Sequence, residues 1–257
     1  MSAVEVMRHL NAKSLAEAAA AQLITHIVEK QSSGVRPHIV LTGGGIGTAV
    51  LASIANGTGV NAVDWQMIEI WWGDERYLPT GDPERNETAA RSALLDLVPI
   101  SPRNLHAIAG PDTTADAESS AAAYAEELEG YRRPEDHAQV PSFEVVLLGI
   151  GPDGHIASLF PEHPALRDDR AVTAVHGSPK PPSTRITMTL PTIGAAREVW
   201  VLASGIEKAD AIRLALEPAA GVLQVPAAGV RGRERTLFLI DEQAAVKLPS
   251  GLGRTTA

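Results

Sequence analysis

Short apolar and β-branched runs, separated by stretches of helical periodicity, constrain this chain more than any other feature. The runs are His38–Leu41, Met67–Trp72, Phe143–Leu148, Ile186–Leu190, Val199–Ala203 and Thr236–Ile240. Helical patterns cover Thr48–Asn56, Thr88–Leu97, Thr114–Glu129, Ile206–Leu216 and Glu242–Lys247. Ser14 with Glu17 reads as a capping box that opens an Ala-rich amphipathic helix reaching Gln31. Strands alternating with helices of about 10–15 residues imply βαβ units. A continuously apolar strand such as Val145–Leu148 implies burial on both sides. The expected fold is therefore α/β and Rossmann-like, with a mainly parallel sheet and helices on both faces. No internal repeat or low-complexity linker divides the chain. The expectation is one domain over residues 1–257, with an exposed polar loop at Gly130–Pro141 and a frayed tail from Pro249 onward.

Composition narrows the function classes. At 257 residues, 44% hydrophobic and 21% charged, the chain can bury a sizeable core like an ordinary globular protein. No apolar stretch reaches the ~18 residues of a membrane span. Met1–Asn11 mixes Glu5, Arg8 and His9 with apolar residues and has no signal-peptide core, so a cytoplasmic location without membrane partners is expected. The absence of cysteine removes disulfides, thiolate nucleophiles and cysteine-ligated metals. A net charge of -9 argues against nucleic-acid binding, which needs a basic face. It also means that a phosphorylated ligand requires a local cluster of Lys and Arg.

In open α/β sheets ligands bind at the carboxyl ends of strands, and the unusual residues of this chain collect there. Leu147–Ser158 carries an apolar run into Gly151-Pro152-Asp153-Gly154-His155, a stiff turn that delivers one Asp and one His. Histidine is the side chain whose unperturbed pKa, ~6.5, suits proton transfer near neutrality. Taken alone, the segment fits a catalytic base and a turn-capping histidine equally well. Thr42–Thr48 places Gly43, Gly44, Gly45 and Gly47 between a strand and a helix, where successive amides can face an anion. It lacks the Lys-Ser/Thr pair of a P-loop and the third glycine of a dinucleotide fingerprint. A tight packing turn is the other reading, and the glycine density favours the anion. Gly73-Asp74-Glu75-Arg76 follows the paired tryptophans of another strand, so a site role competes with a solvated charge cluster. Lys180-Pro181-Pro182-Ser183-Thr184-Arg185 is read as an extended stretch, and alone it suits a solvent-facing loop. Lys208 lies in the first turn after Ser204-Gly205, where the helix dipole disfavours a cation unless an anion offsets it.

Together these stretches resemble the 6-phosphogluconolactonase family, whose superfamily includes the glucosamine-6-phosphate deaminases. The matching segments are Leu41–Gly45, Trp72–Pro79, Arg85-Asn86, Leu148–Pro161, Ser178–Pro191 and Ser204–Ala209, in the family's order and over most of the chain. The resemblance implies a Rossmann-like fold and hydrolysis of 6-phospho-D-glucono-1,5-lactone, with no nucleotide cofactor and no obligatory metal. It implies His155 as general base, with Asp153 beside it and Asp74 facing the reacting end of the sugar. Gly43, Gly44, Gly45, Arg76, Lys180, Arg185 and Lys208 become candidates for holding phosphate and hydroxyls. The partner is then a small phosphosugar lactone, bound by a monomer or small homo-oligomer.

Departures and rivals are few. The glycine loop carries Ile46-Gly47 where the wider family has Ser/Thr then Pro, so its contacts are expected from amides. Arg85 stands where a Ser commonly precedes the Asn, and reads either as an added site charge or as a solvated residue. The deaminases have a Glu five residues after the motif histidine and Asp-Glu-Tyr at the acidic motif; this chain has Phe160 and Asp74-Glu75-Arg76. A non-catalytic sugar-phosphate sensor needs a DNA-binding helix-turn-helix, for which the sequence before the fold leaves no room. A metal hydrolase needs ligand spacing, and His155 and His163 do not supply it.

Overall fold

The structure is a computed structural model that describes residues 3–136, 138–217, 219–249 and 251–255. In chain order the elements are β1 (Val4–His9), α1 (Ala12–Ser32), β2 (His38–Leu41), α2 (Gly44–Asn56), β3 (Glu69–Trp72), β4 (Asp74–Arg76), α3 (Asn86–Ala93), β5 (Leu105–His106) and α4 (Ala117–Gly130). They continue with β6 (Phe143–Gly149), β7 (Val172–Val175), β8 (Arg185–Met188), α5 (Leu190–Gly194), β9 (Glu198–Ala203), α6 (Ala209–Ala215), β10 (Arg235–Asp241) and β11 (Arg254–Thr255).

Eight strands form one sheet in the order β11-β1-β10-β9-β6-β2-β3-β5, and every neighbouring pair is parallel. β2 and β3 are buried at every position, and β6 at all but its last, so both faces of the sheet are covered. Val145, Val146, Leu147 and Leu148 of β6 are almost wholly buried, each contributing about 1.5–3 kcal/mol. A second, antiparallel sheet of order β4-β8-β7 stands beside the first. Among the described residues no helix is long and apolar enough to cross a membrane.

Several local expectations change. The first helix starts at Ala12, two residues before Ser14: Asn11 is the N-cap, its side chain accepting the Ser14 N–H, while the Ser14 hydroxyl accepts the Asn11 N–H. Ser14 thus closes the capping box at N3 instead of opening it as N-cap, and Glu17 has no part in it. Glu242–Lys247 forms hydrogen-bonded turns instead of a helix. Asp241 accepts the Ala244 N–H, and six residues are too few to nucleate a helix without tertiary support. Leu190 opens α5 instead of ending a strand. The tail beyond Pro249 includes Arg254–Thr255, which pair in parallel with Met7 and Arg8. The loop after α4 is exposed over residues 131–135 but turns inward at Val140 and Pro141; its residue 137 lies outside the described residues.

Candidate active site

From β2 the chain adds β3 and then β5 on one side; from β6 it adds β9 and β10 on the other. This reversal between β2 and β6 leaves a crevice at their carboxyl ends. The Gly149 N–H donates to the Thr42 hydroxyl across it at 3.1 Å, tying the two strand ends together. A cavity of about 570 Å³ opens there, walled by the segments following β2, β3, β6 and β9 and by the loop leading into β8.

The segment after β6 closes on itself: the Gly151 N–H donates to the His155 carbonyl (2.8 Å) and the Gly154 N–H to the Gly151 carbonyl (3.0 Å). A Cβ on Gly151 would overlap the His155 imidazole and the Asp153 carboxylate, so only glycine lets both share that space. Asp153 Oδ1 lies 2.5 Å from His155 Nδ1, and the ring packs on Phe160 with centroids 4.6 Å apart. Burial alone would raise the Asp153 carboxyl. The hydrogen bond and charge of His155, with Lys180 Nζ at 3.6 Å, outweigh it and hold the group well below the usual carboxylate range. An ionised Asp153 on Nδ1 favours the tautomer that carries its proton there, which leaves Nε2 for the cavity.

Two residues further on, Ala157 adopts φ +47°, a left-handed conformation that costs a non-glycine residue of order 1–3 kcal/mol. This turn puts the fully buried Ser158 under Asp74, to whose Oδ2 its hydroxyl donates at 2.6 Å. Asn86 Nδ2 donates to the Asp74 carbonyl (2.9 Å) and Oδ1 (3.3 Å). Asp74 is thereby held from both sides at the cavity wall.

The glycine loop opens α2, with Gly43 as N-cap and Gly44 at φ +79°. A Cβ on Gly43 would collide with the Asn86 amide, so the loop and Asn86 are in contact. Gly43, Gly44 and Gly45 all line the cavity.

Four cations also line it: Arg76, Lys180, Arg185 and Lys208. Arg76 and Arg185 are direct cross-strand partners in the β4–β8 pairing, an arrangement in which like charges repel. Arg76 Nε is buried without a hydrogen-bond partner among the described residues. Burial pushes Arg185 down, offset in part by Asp74 and reinforced by Arg76. Burial likewise pushes Lys208 down, with Glu207 pulling up and Lys180 pushing further down. The cavity is therefore locally cationic in a protein of net charge -9.

Nine of the ten expected site residues line this cavity, and Asp153 stands behind His155. The expected extended stretch between Lys180 and Arg185 is instead a closed turn. Ser178 N–H donates to the Ser183 carbonyl, and Arg185 donates to the carbonyls of Lys180, Pro181 and Pro182. Arg85 is neither a site charge nor solvated: it is 1% exposed and donates to Glu87 and to the carbonyls of Leu78 and Ile108. Asn86, Ser204 and Glu207 line the cavity without having been given roles from sequence. The first two had a signal, since Asn86 follows Arg85 in the matching motif and Ser204 directly follows a strand. Glu207 had none beyond its neighbour Lys208. Among the described residues no three His, Asp or Glu side chains gather as a metal cluster.

The profile of the family "Glucosamine-6-phosphate isomerases/6-phosphogluconolactonase" matches residues 10–239. The chain is 55% identical over 251 residues to the 6-phosphogluconolactonase of Streptomyces coelicolor, covering 96% of both. It is 49% identical to that of Mycobacterium tuberculosis, covering 82% of this chain and 85% of the relative. Its fold superposes on 6-phosphogluconolactonase from Trypanosoma brucei with a TM-score of 0.81 at 28% identity, over 97% of this chain and all of the other. A switch-point cavity walled by the motifs of this family, and similarity along almost the whole chain, lead to one conclusion: the protein belongs to the glucosamine-6-phosphate isomerase/6-phosphogluconolactonase family.

Proposed function

We propose that this protein hydrolyses 6-phospho-D-glucono-1,5-lactone to 6-phospho-D-gluconate, the second step of the oxidative pentose phosphate pathway. The observation that carries this reading is the Asp153–His155 pair, set at a cavity with four cations in its wall. A lactone carbonyl is already electrophilic, so hydrolysis needs an activated water and donors for the developing oxyanion. His155 Nε2 takes a proton from water as its oxygen bonds to C1, and Asp153 stabilises the imidazolium that results. As the tetrahedral intermediate collapses, the C1–ring-oxygen bond breaks and the imidazolium returns the proton to the departing ring oxygen.

The 6-phosphate falls to the Arg76–Arg185 pair, since an anion between them relieves their repulsion and gives Arg76 Nε an acceptor. Lys180, Lys208 and the amides of Gly43, Gly44 and Gly45 hold the remaining oxygens, and Asp74 accepts from a sugar hydroxyl near the reacting end.

The test is the rate of lactone loss in excess chelator, with the spontaneous rate subtracted. Wild type should accelerate it, and His155→Ala should lose about 10²–10⁴-fold in kcat with little change in KM. A mutant within a few-fold of wild type would remove His155 as base. No acceleration by wild type would remove the lactonase reading altogether.

A further inference from the structure

Between Asp74 and Arg76, which both line the cavity, stands Glu75, whose side chain the strand alternation sends to the opposite face. It is 1% exposed, yet its oxygens accept three backbone N–H groups: Arg76 at 2.8 Å, Asn86 at 2.7 Å and Glu87 at 2.8 Å. Asn86 and Glu87 are the first two residues of α3, whose own N-cap, Arg85, makes no side-chain cap. A carboxylate from β4 therefore satisfies donors that a helix start leaves open, where negative charge is also favoured. The anchored residue, Asn86, is the one that holds Asp74 and abuts Gly43.

We infer that Glu75 is a positioning residue for the lactonase site: its ionised carboxylate fixes Asn86, and Asn86 sets Asp74 and the glycine loop against His155. The inference rests on the hydrolase reading above. Several ionisable groups share Glu75's surroundings. Asp74 and Arg76 flank it on β4, Arg85 Nε lies at 3.8 Å, Glu87 is the second residue of α3, Tyr124 of α4 feels its charge, and so does Arg185 of β8. Burial is the strongest influence on the carboxyl and pushes it up to about 7 against the three N–H donors and Arg85. Protonation removes an acceptor, so the cap weakens as pH falls through neutrality.

Protonation of Glu75 then adds its own loss of turnover in acid. At saturating lactone, log kcat for wild type should fall more steeply toward low pH than that of a variant lacking this carboxylate. Glu75→Gln cannot titrate and turns an amide N–H toward a backbone N–H. It should lose about 10- to 100-fold in kcat at pH 8, the scale of a small misplacement of reacting groups, and its acid slope should be shallower than that of wild type. Asn86→Ala, which cuts the link while leaving the Glu75 cap intact, should show the same two changes. A purely structural Glu75 would lower thermal stability and leave the slope alone.

Equal acid slopes in wild type and Glu75→Gln, or Glu75→Gln with wild-type kcat, overturn the inference while the hydrolase reading stands. Absence of wild-type turnover overturns both. If Glu75→Gln does not fold, the kcat and acid slope of Asn86→Ala against wild type still decide.

Discussion

Asp153 acts on His155 through one hydrogen bond, so its removal isolates what that bond supplies. Asp153→Asn keeps the volume but loses the charge, and its amide can donate to Nδ1, forcing the ring proton onto Nε2, where it blocks the base. A hydrogen bond to a charged group is worth about 1.5–3 kcal/mol, so kcat should fall at least about 10-fold while KM changes little; an unchanged kcat would leave Asp153 a structural role only. The pair was legible because Asp153 and His155 are two residues apart in one turn. Asp74's partner Ser158 was not, because the two lie 84 positions apart and meet only through tertiary folding. Arg85 misled for the same reason: an arginine in a polar stretch reads as solvated until the carbonyls of Leu78 and Ile108 close over it.

At the scale of elements, β4 is the least readable piece and the one that organises the cations. Asp74-Glu75-Arg76 has little β propensity; it is a strand because Ile186 and its neighbours on β8 pair with it. That pairing sets Arg76 opposite Arg185, which separate loops would not require. β1 escaped notice because Glu5, Arg8 and His9 interrupt its apolar pattern, whereas the apolar runs Ile39–Leu41, Val145–Leu148, Val199–Ala203 and Leu237–Ile240 announced themselves. The β4–β8 arrangement predicts anion-linked stability. Inorganic phosphate that binds the folded protein raises the Tm by mass action, so millimolar phosphate should raise the wild-type Tm beyond a chloride control of equal ionic strength. In Arg76→Ala most of that difference should vanish. An equal shift in both proteins would move the phosphate to Lys180 and Lys208.

For the whole molecule, the site's requirements oppose those of stability, and Glu75 shows the conflict most directly. Its carboxyl ordinarily titrates at 4.5, and in the fold it is pushed up to about 7. A group whose pKa rises on folding adds stability that is fully present below its unfolded value and is lost as pH rises through its folded one. Glu75 therefore favours the fold in its neutral form, while the cap on Asn86 needs the ionised form. Lactone turnover should gain from Glu75 as pH rises through 7 while stability loses. Tm measured from pH 5 to 8.5 for wild type and Glu75→Gln separates this contribution from the rest. Other groups bend the wild-type curve. His38, lowered to about 4, makes stability rise with pH up to its ordinary 6.5; His106, raised, makes stability fall as pH passes through its folded value. Glu75→Gln leaves both in place, so they cancel in the difference. Wild type minus Glu75→Gln should then decline with rising pH from about 5 to 7 and level off above the folded value. A flat difference would mean that Glu75 keeps one protonation state throughout, and the acid loss of turnover assigned to it would fall with that result.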